Sequence, residues 1–329
     1  MAVVSEINVR TQIGLESSLG GAGACGKRLQ ALMIQPGPAL DAKTITAQGH
    51  RAPSGTAVDK EWTEFDVPSS RALYTESLYL YENFFGSVSP TTVGTAGKRR
   101  VYSLALTGGI TPKGWTSQFG DAADNVNQYG YGILTDLTKT WDRDNGVNVS
   151  GKGLAQLIST GGTFTSSAGV LANKPILGSH LNVYLDTTGA GIGTTQITDE
   201  ILSVEMDLTG LRDVRWAMDR AQTSWKAHVD IYPTLQCKID LAESAVTRAI
   251  IAALKTGQTY FMRVDALGDQ IETSLNYGDV TDVAMQILTI TKFESSKGVW
   301  KRQITTQIVE DPTWNAAVKI TNTTTESSL

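Results

Sequence analysis

Two cysteines and three histidines among 329 residues leave little for thiol or metal chemistry. Cys25 and Cys237 lie far apart and outside any C-x-x-C spacing, so they read as free thiols in a reducing cytoplasm. His50, His180 and His228 have no second histidine at helical or hairpin spacing, and neither G-x-S-x-G nor H-E-x-x-H occurs. No catalytic constellation emerges, so neither an enzyme nor a cofactor is expected. No stretch approaches the ~18 apolar residues a membrane span needs. The amino end, Met1 to Arg10, shows no basic cap followed by an apolar run, so a signal peptide is not expected. Basic charge is not in excess either. With 28 basic and 33 acidic residues the net charge is −5, which argues against a surface that coats nucleic acid.

What is abundant is threonine and glycine. The chain has 40 Thr and 32 Gly against nine Pro, a balance that favours strands and turns. The length suits two domains. Residues 1–28, with five scattered glycines, read as a flexible arm. Leu29–Ile34 and Lys43–Gln48 are strand candidates, and Gly49–Lys60 reads as a loop. Ser69 and Ser70 offer caps for a helix closed by Gly86, whose stripe of Tyr74, Leu78, Tyr81, Phe84 and Phe85 suits packing on a sheet. Strands return at Arg100–Thr107, Trp115–Phe119 and Ile133–Thr140. Asp142-Arg-Asp-Asn-Gly146 reads as a hairpin turn, with Val147–Ser150 pairing back. Residues 159–180 are rich in Gly, Ser and Thr and read as a linker.

The second half repeats this order. Strands are expected at Leu181–Asp186, Ile201–Leu208, Asp213–Met218, Ala227–Ile231 and Thr234–Leu241, then a helix at Ser244–Lys255 closed by Gly257. Further strands follow at Tyr260–Ala266, Val283–Thr291 and Val299–Val309. Phe65-Asp-Val-Pro-Ser-Ser70 before the first helix resembles Ile239-Asp-Leu-Ala-Glu-Ser244 before the second. Leu134-Thr-Asp-Leu-Thr-Lys139 resembles Leu288-Thr-Ile-Thr-Lys292 with one deletion, and both are followed by Gly-Val. An internal duplication is the reading adopted. It divides the chain into an arm (1–28), a first domain (29–158), a linker (159–180), a second domain (181–310) and a polar tail (311–329). Gly146–Lys152 and Gly21–Lys27 imitate a phosphate-binding loop, but the hydroxyl that must follow the lysine is Gly153 in one and Arg28 in the other.

The order of these elements resembles the major tail tube proteins of long-tailed bacteriophages with non-contractile tails. The likeness rests on the arm Gly14-Leu-Glu16…Gly20-Gly21…Lys27-Arg28-Leu29, then Lys43-Thr-Ile-Thr-Ala-Gln-Gly49-His-Arg-Ala-Pro53, then the aromatic helix to Gly86. Trp115-Thr-Ser-Gln-Phe-Gly-Asp121 and Tyr131-Gly-Ile-Leu-Thr-Asp-Leu-Thr138 with its hairpin complete it. It covers residues 14–155 well and the second half loosely. The resemblance implies a mainly β fold: two tandem β-sandwich or half-barrel domains, each with one flanking helix. It also implies a structural virion protein, assembled in the bacterial cytoplasm, whose stacked rings form the tube through which DNA is ejected. A ring would need three chains with pseudo-six-fold symmetry if both halves are tube domains, and six otherwise. Partners implied are other copies of the chain, tape-measure, tail-tip and tail-terminator proteins, and DNA passing through the lumen without specific binding. Acidic side chains facing that lumen would repel phosphates. Contacts between rings are expected from the loop containing Gly108, Thr111 and Lys113 and from Trp141, Asp142, Arg143, Asp144 and Asn145. Competing readings are a two-domain carbohydrate-binding adhesin module, with exposed aromatics stacking on sugars, and a capsid or decoration protein.

Overall fold

The computed structural model describes residues 9–21, 23–104, 107–121, 125–198, 200–218, 224–296 and 298–329. The chain is mainly β. The principal elements of the first half are β1 (Val9–Leu15), β2 (Gln35–Ile45), β3 (Gly55–Arg71), α1 (Ser77–Phe85), β4 (Gly97–Ser103), β5 (Trp115–Asp121), β6 (Val126–Asp142) and β7 (Gly146–Ala155). Those of the second are β8 (Leu181–Asp186), β9 (Ile201–Thr209), β10 (Thr234–Ala242), α2 (Ala245–Leu254), β11 (Tyr260–Glu272), β12 (Leu275–Ile290), β13 (Val299–Ile308) and β14 (Val318–Thr324).

Each half builds the same four-stranded antiparallel sheet. In the first the order is β2–β3–β7–β6, and in the second β9–β10–β13–β12. The register matches as well. Pro36, Phe65, Gly153 and Leu134 form one row, and Val204, Ile239, Ile304 and Ile290 form its counterpart. Phe65 and Ile239 are the first residues of the two similar motifs before the helices. The sheets then join: β6 pairs with β9 from Leu137↔Leu208 to Asp142↔Ser203, giving one run of eight strands through the chain.

Alternation fixes what each face does. On β6, Leu137, Lys139 and Trp141 are buried, while Thr138, Thr140 and Asp142 are half-buried on the open face. The turn after Asp142 forms because its Oδ1 accepts the amides of Asp144 and Asn145 at 2.8 and 2.9 Å. Gly146 then takes a φ of 76°, which a Cβ would oppose. Gly86, at φ 93°, ends α1. In both halves the long penultimate strand leaves the main run at its amino-terminal portion. There β6 pairs with β5, and β12 pairs with β11 and β14. These portions fold back over α1, and one apolar core runs through both halves.

Several expectations are corrected. Residues 9–28 are no free arm: β1 pairs along the whole of β5, and Ile13 and Cys25 are buried. Residues 1–8 lie outside the described residues. Leu29–Ile34 is not a strand. The amides of Gln30, Ala31 and Leu32 all donate to the Glu76 carboxylate, which withdraws them from any ladder. Ser69 and Ser70 end β3 rather than capping α1, whose first turn lacks a side-chain cap. The expected loop Gly49–Lys60 is largely strand from Gly55 onward. Residues 159–180 are packed rather than a tether. Gly169 and Val170 pair with Lys27 and Arg28, Leu73 bridges to Pro175, and Leu171 and Ile176 are buried. The tail 311–329 contains β14, a central strand between β12 and β4, because Val318 and Ile320 alternate with polar residues toward the core. The strand expected at 100–107 is β4, ending at Ser103. Residues 105–106 lie outside the described residues. The second helix is found as expected, with Ser244 Oγ accepting the Thr247 amide at 2.9 Å.

Candidate assembly surface

The seam between the halves is backbone pairing reinforced by side chains. Thr138 Oγ1 donates to Asp207 Oδ1 across it at 2.9 Å. Beneath it Lys139, fully buried, donates to Asp279 Oδ1 (2.5 Å), Tyr81 OH (2.8 Å) and Thr281 Oγ1 (3.1 Å). Tyr81 OH donates in turn to Asp279 Oδ2 at 2.8 Å. Burial pulls the Lys139 ammonium below the usual lysine range, and Asp279 pushes it back. The lysine belongs to the first half, its carboxylate partner to the second, and α1 carries the tyrosine between them. Arg212, from the second half, donates to the carbonyls of Asn83 (3.2 Å) and Phe84 (2.7 Å) at the end of α1, where carbonyls lack helical partners.

The same strand run leaves two open edges. β2 pairs with β3 alone, among the described residues. At the other end, the β11 ladder stops at Tyr260↔Met285. Beyond it, among the described residues, β12 and the short strand Glu294–Ser296 that continues its hairpin pair only with β13. An unpaired edge exposes a row of amides and carbonyls that recruits another strand. Apolar side chains gather at both edges. Leu40, Ile45 and Val58 are exposed on the β2–β3 hairpin, and Leu288, Phe293, Val299 and Trp300 at the other end. Residues 42–59 of the first hairpin are exposed nearly throughout, on both faces. A two-stranded projection of this kind is marginal without something packed against it.

The face opposite the helices is polar where β6, β9, β10 and β13 adjoin, whereas on the first-half sheet it also carries Trp62, Leu154 and Ile133, which form a second apolar cluster with Trp216 and Trp225. Thr140, Glu205, Lys238 and Thr305 form one row, and Thr138, Asp207, Gln236 and Gln307 the next. Glu64, Asp66, Asp136, Glu205, Asp207 and Asp240 outnumber Lys152, Lys238 and Lys301 there. Lys238–Glu205 (2.5 Å) and Lys301–Asp240 (2.8 Å) are half-exposed pairs on this face.

Of the residues expected to form a helix stripe, Leu78, Tyr81, Phe84 and Phe85 lie on α1 and Tyr74 precedes it; all five are buried, and α1 is buried on every face rather than along one stripe. The two predicted contact loops are exposed in part and lie apart. Asn83 Nδ2 donates to the carbonyls of Lys113 (2.9 Å) and Gly132 (2.8 Å), anchoring the first loop beside the middle of β6, while Gly108 and Thr111 are exposed. Asp142 to Asn145 form the tip of that strand's hairpin, roughly 30 Å farther along at ~3.3 Å per residue. Trp141 is not available for contact: it is buried, with Lys139 Nζ 5.0 Å from its ring centroid. Asp142, Arg143 and Asp144 line a groove of about 630 Å³ with Leu181, Val183 and Lys301. Among the described residues no group of His, Cys, Asp or Glu is arranged to hold a metal ion. Both cysteines are free and buried, and burial pushes each thiol up to about 12.

Sequence reasoning missed the buried pair Lys139 and Asp279, and separately Pro36, Pro38 and Phe293 at the sheet edges. Two signals were present. Lys139 occupies an apolar-face position in Leu137-Thr-Lys-Thr-Trp141, and Pro36 and Pro38 repeat at strand period on what the structure shows is an edge. Comparison with known protein families finds no match, and no curated protein is detectably similar to the chain.

Proposed function

We propose that the chain is a structural subunit that closes into rings through its two open sheet edges, and that the rings stack into the tail tube of a long-tailed, non-contractile bacteriophage. One observation carries the reading. The seam between β6 and β9 already joins two copies of one four-stranded sheet within the chain, and leaves an unlike edge at each end of the run. Unlike edges give a head-to-tail contact, and such contacts make a ring when the rotation closes. Three chains, six repeats, would complete it. In that ring the polar, acid-rich face lines the bore, so that DNA phosphates are repelled and slide. The edges are satisfied by closure, as in any barrel. Tape-measure, tip and terminator proteins would meet such a tube inside and at its ends.

Electron microscopy of the purified full chain, with sedimentation to give mass, tests this. Stacked rings forming tubes roughly ten nanometres wide are expected from the resemblance. A protein that stays monomeric at high concentration and binds glycans through Trp300 and Tyr232, both exposed, would instead support a carbohydrate-binding module.

A further inference from the structure

The intrachain seam also shows how the seam between chains must differ from it. In the first half Asp66, Lys152 and Asp136 share a row, and in the second Asp240, Gln303 and Thr291 do. Gln35 opposes Asp66 as Ser203 opposes Asp240, so Pro36 occupies the place of Val204 and Pro38 that of Met206. Within the chain Val204 and Met206 face Trp141 and Lys139 across the seam. Proline has no N–H to donate, so a second copy using β2 in this way forfeits two donors of the ladder while keeping both carbonyls.

The opposite edge shows what offsets their loss. The row that sets Met206 against Lys139 lies three ladder steps beyond Asp136; three steps beyond the Thr291–Gln303 row lie Ser295 and Trp300, because the chain carries one extra residue between Thr291 and Glu294. Pro38 of a second copy, in the place of Met206, then comes alongside Ser295 and Trp300, with Phe293 next on the same face. Trp300 is 61% exposed and Phe293 45%, with ring centroids 6.5 Å apart and edge to face. Phe293 is held by Arg302, whose guanidinium carbon lies 3.6 Å from the ring centroid, and Arg302 Nε lies 3.3 Å from Glu243 Oε2. Trp300 and Arg302 alternate with Ile304 and so share the helix-side face. Pro36 and Pro38, opposing buried Phe65 and Thr63, are on that face too.

We infer that the joint between copies is a proline–aromatic contact: Pro38 of one chain packs on Phe293 and Trp300 of a second. This rests on the ring reading and names its surface. An apolar proline ring on an aromatic pair offsets the lost donors by packing, and it disfavours pairing of β2 with unrelated strands, which would lack the aromatics.

Two experiments test it on the full chain. A Pro38→Cys/Ser295→Cys variant, oxidised mildly, is expected to form disulfide-linked dimers and trimers. The native thiols are buried and poorly ionised, so they do not compete. A Phe293→Ala/Trp300→Ala variant is expected to need about tenfold more protein to assemble, with an unchanged thermal midpoint as monomer, because both rings are exposed there. If the wild type never assembles, the ring reading itself fails. If the wild type assembles but the cysteines stay unlinked and the alanine variant assembles at the same concentration, the ring reading stands and this joint is wrong.

Discussion

Replacing Lys139 by methionine should loosen the two halves far more than its position in a threonine-rich strand suggests. The side chain is fully buried, and its ammonium makes hydrogen bonds to Asp279, Tyr81 and Thr281. Methionine fills much of the volume but leaves the Asp279 carboxylate, also fully buried, with Tyr81 OH as its remaining named donor. An uncompensated buried charge costs about 3–5 kcal/mol, whereas replacing both charges by apolar groups is often close to neutral. Lys139→Met alone should therefore lower stability by about 3–5 kcal/mol, and Asp279→Leu alone by a similar amount. The double variant should recover most of the loss. Urea unfolding of the wild type and three variants at constant protein concentration gives the double-mutant cycle. Losses below about 1 kcal/mol for the single variants, or strictly additive losses in the double, would refute the argument that this pair locks the halves together.

Other outcomes follow from the same structure. Burial raises the Glu76 carboxyl above its usual range, although three backbone amides pull it down. The folded state therefore holds that proton more tightly than the unfolded state. Its contribution is greatest below the ordinary glutamate value and is lost as pH rises through the raised one. Glu76→Gln should flatten that part of a stability–pH curve, and an unchanged slope would contradict the assignment. Trp225 is fully buried, donates its Nε1–H to the Ala155 carbonyl at 2.9 Å and packs 4.5 Å from Tyr131. Trp225→Ala should cost about 3–5 kcal/mol and open the paired segments 212–215 and 227–230 to limited proteolysis before the rest of the chain. Arg143→Ala/Asn145→Ala leaves the Asp142 turn acceptor in place. It should give folded subunits that form rings but short tubes, measured as tube length in micrographs.

The fold was legible where a residue's local chemistry agreed with its tertiary setting. The Asp142–Gly146 turn, the Ser244 cap and the alternation in β9, β10 and β13 are local signals that the rest of the protein does not override. The order of elements in the two halves was readable for the same reason. What failed were segments whose fate is set from far away. Gln30, Ala31 and Leu32 look strand-forming until Glu76, more than forty residues on, takes their amides. Val318 and Ile320 lie in a threonine-rich stretch that composition marks as a tail, yet they fill a gap between β12 and β4. The assembly surface was the least legible part, because an edge is defined by which strand is absent beside it. Pro36 and Pro38 carried the hint, and their meaning depends on a topology that no local window contains.

The central claim, that unlike edges of one eight-stranded run meet between chains, is tested most directly by end-on electron microscopy of the assembled protein. The account predicts closed rings of three chains with six similar lobes around a bore, stacked coaxially, with mass per ring equal to three copies. Rings containing six chains, open sheets, or a protein that remains monomeric at every concentration would contradict it.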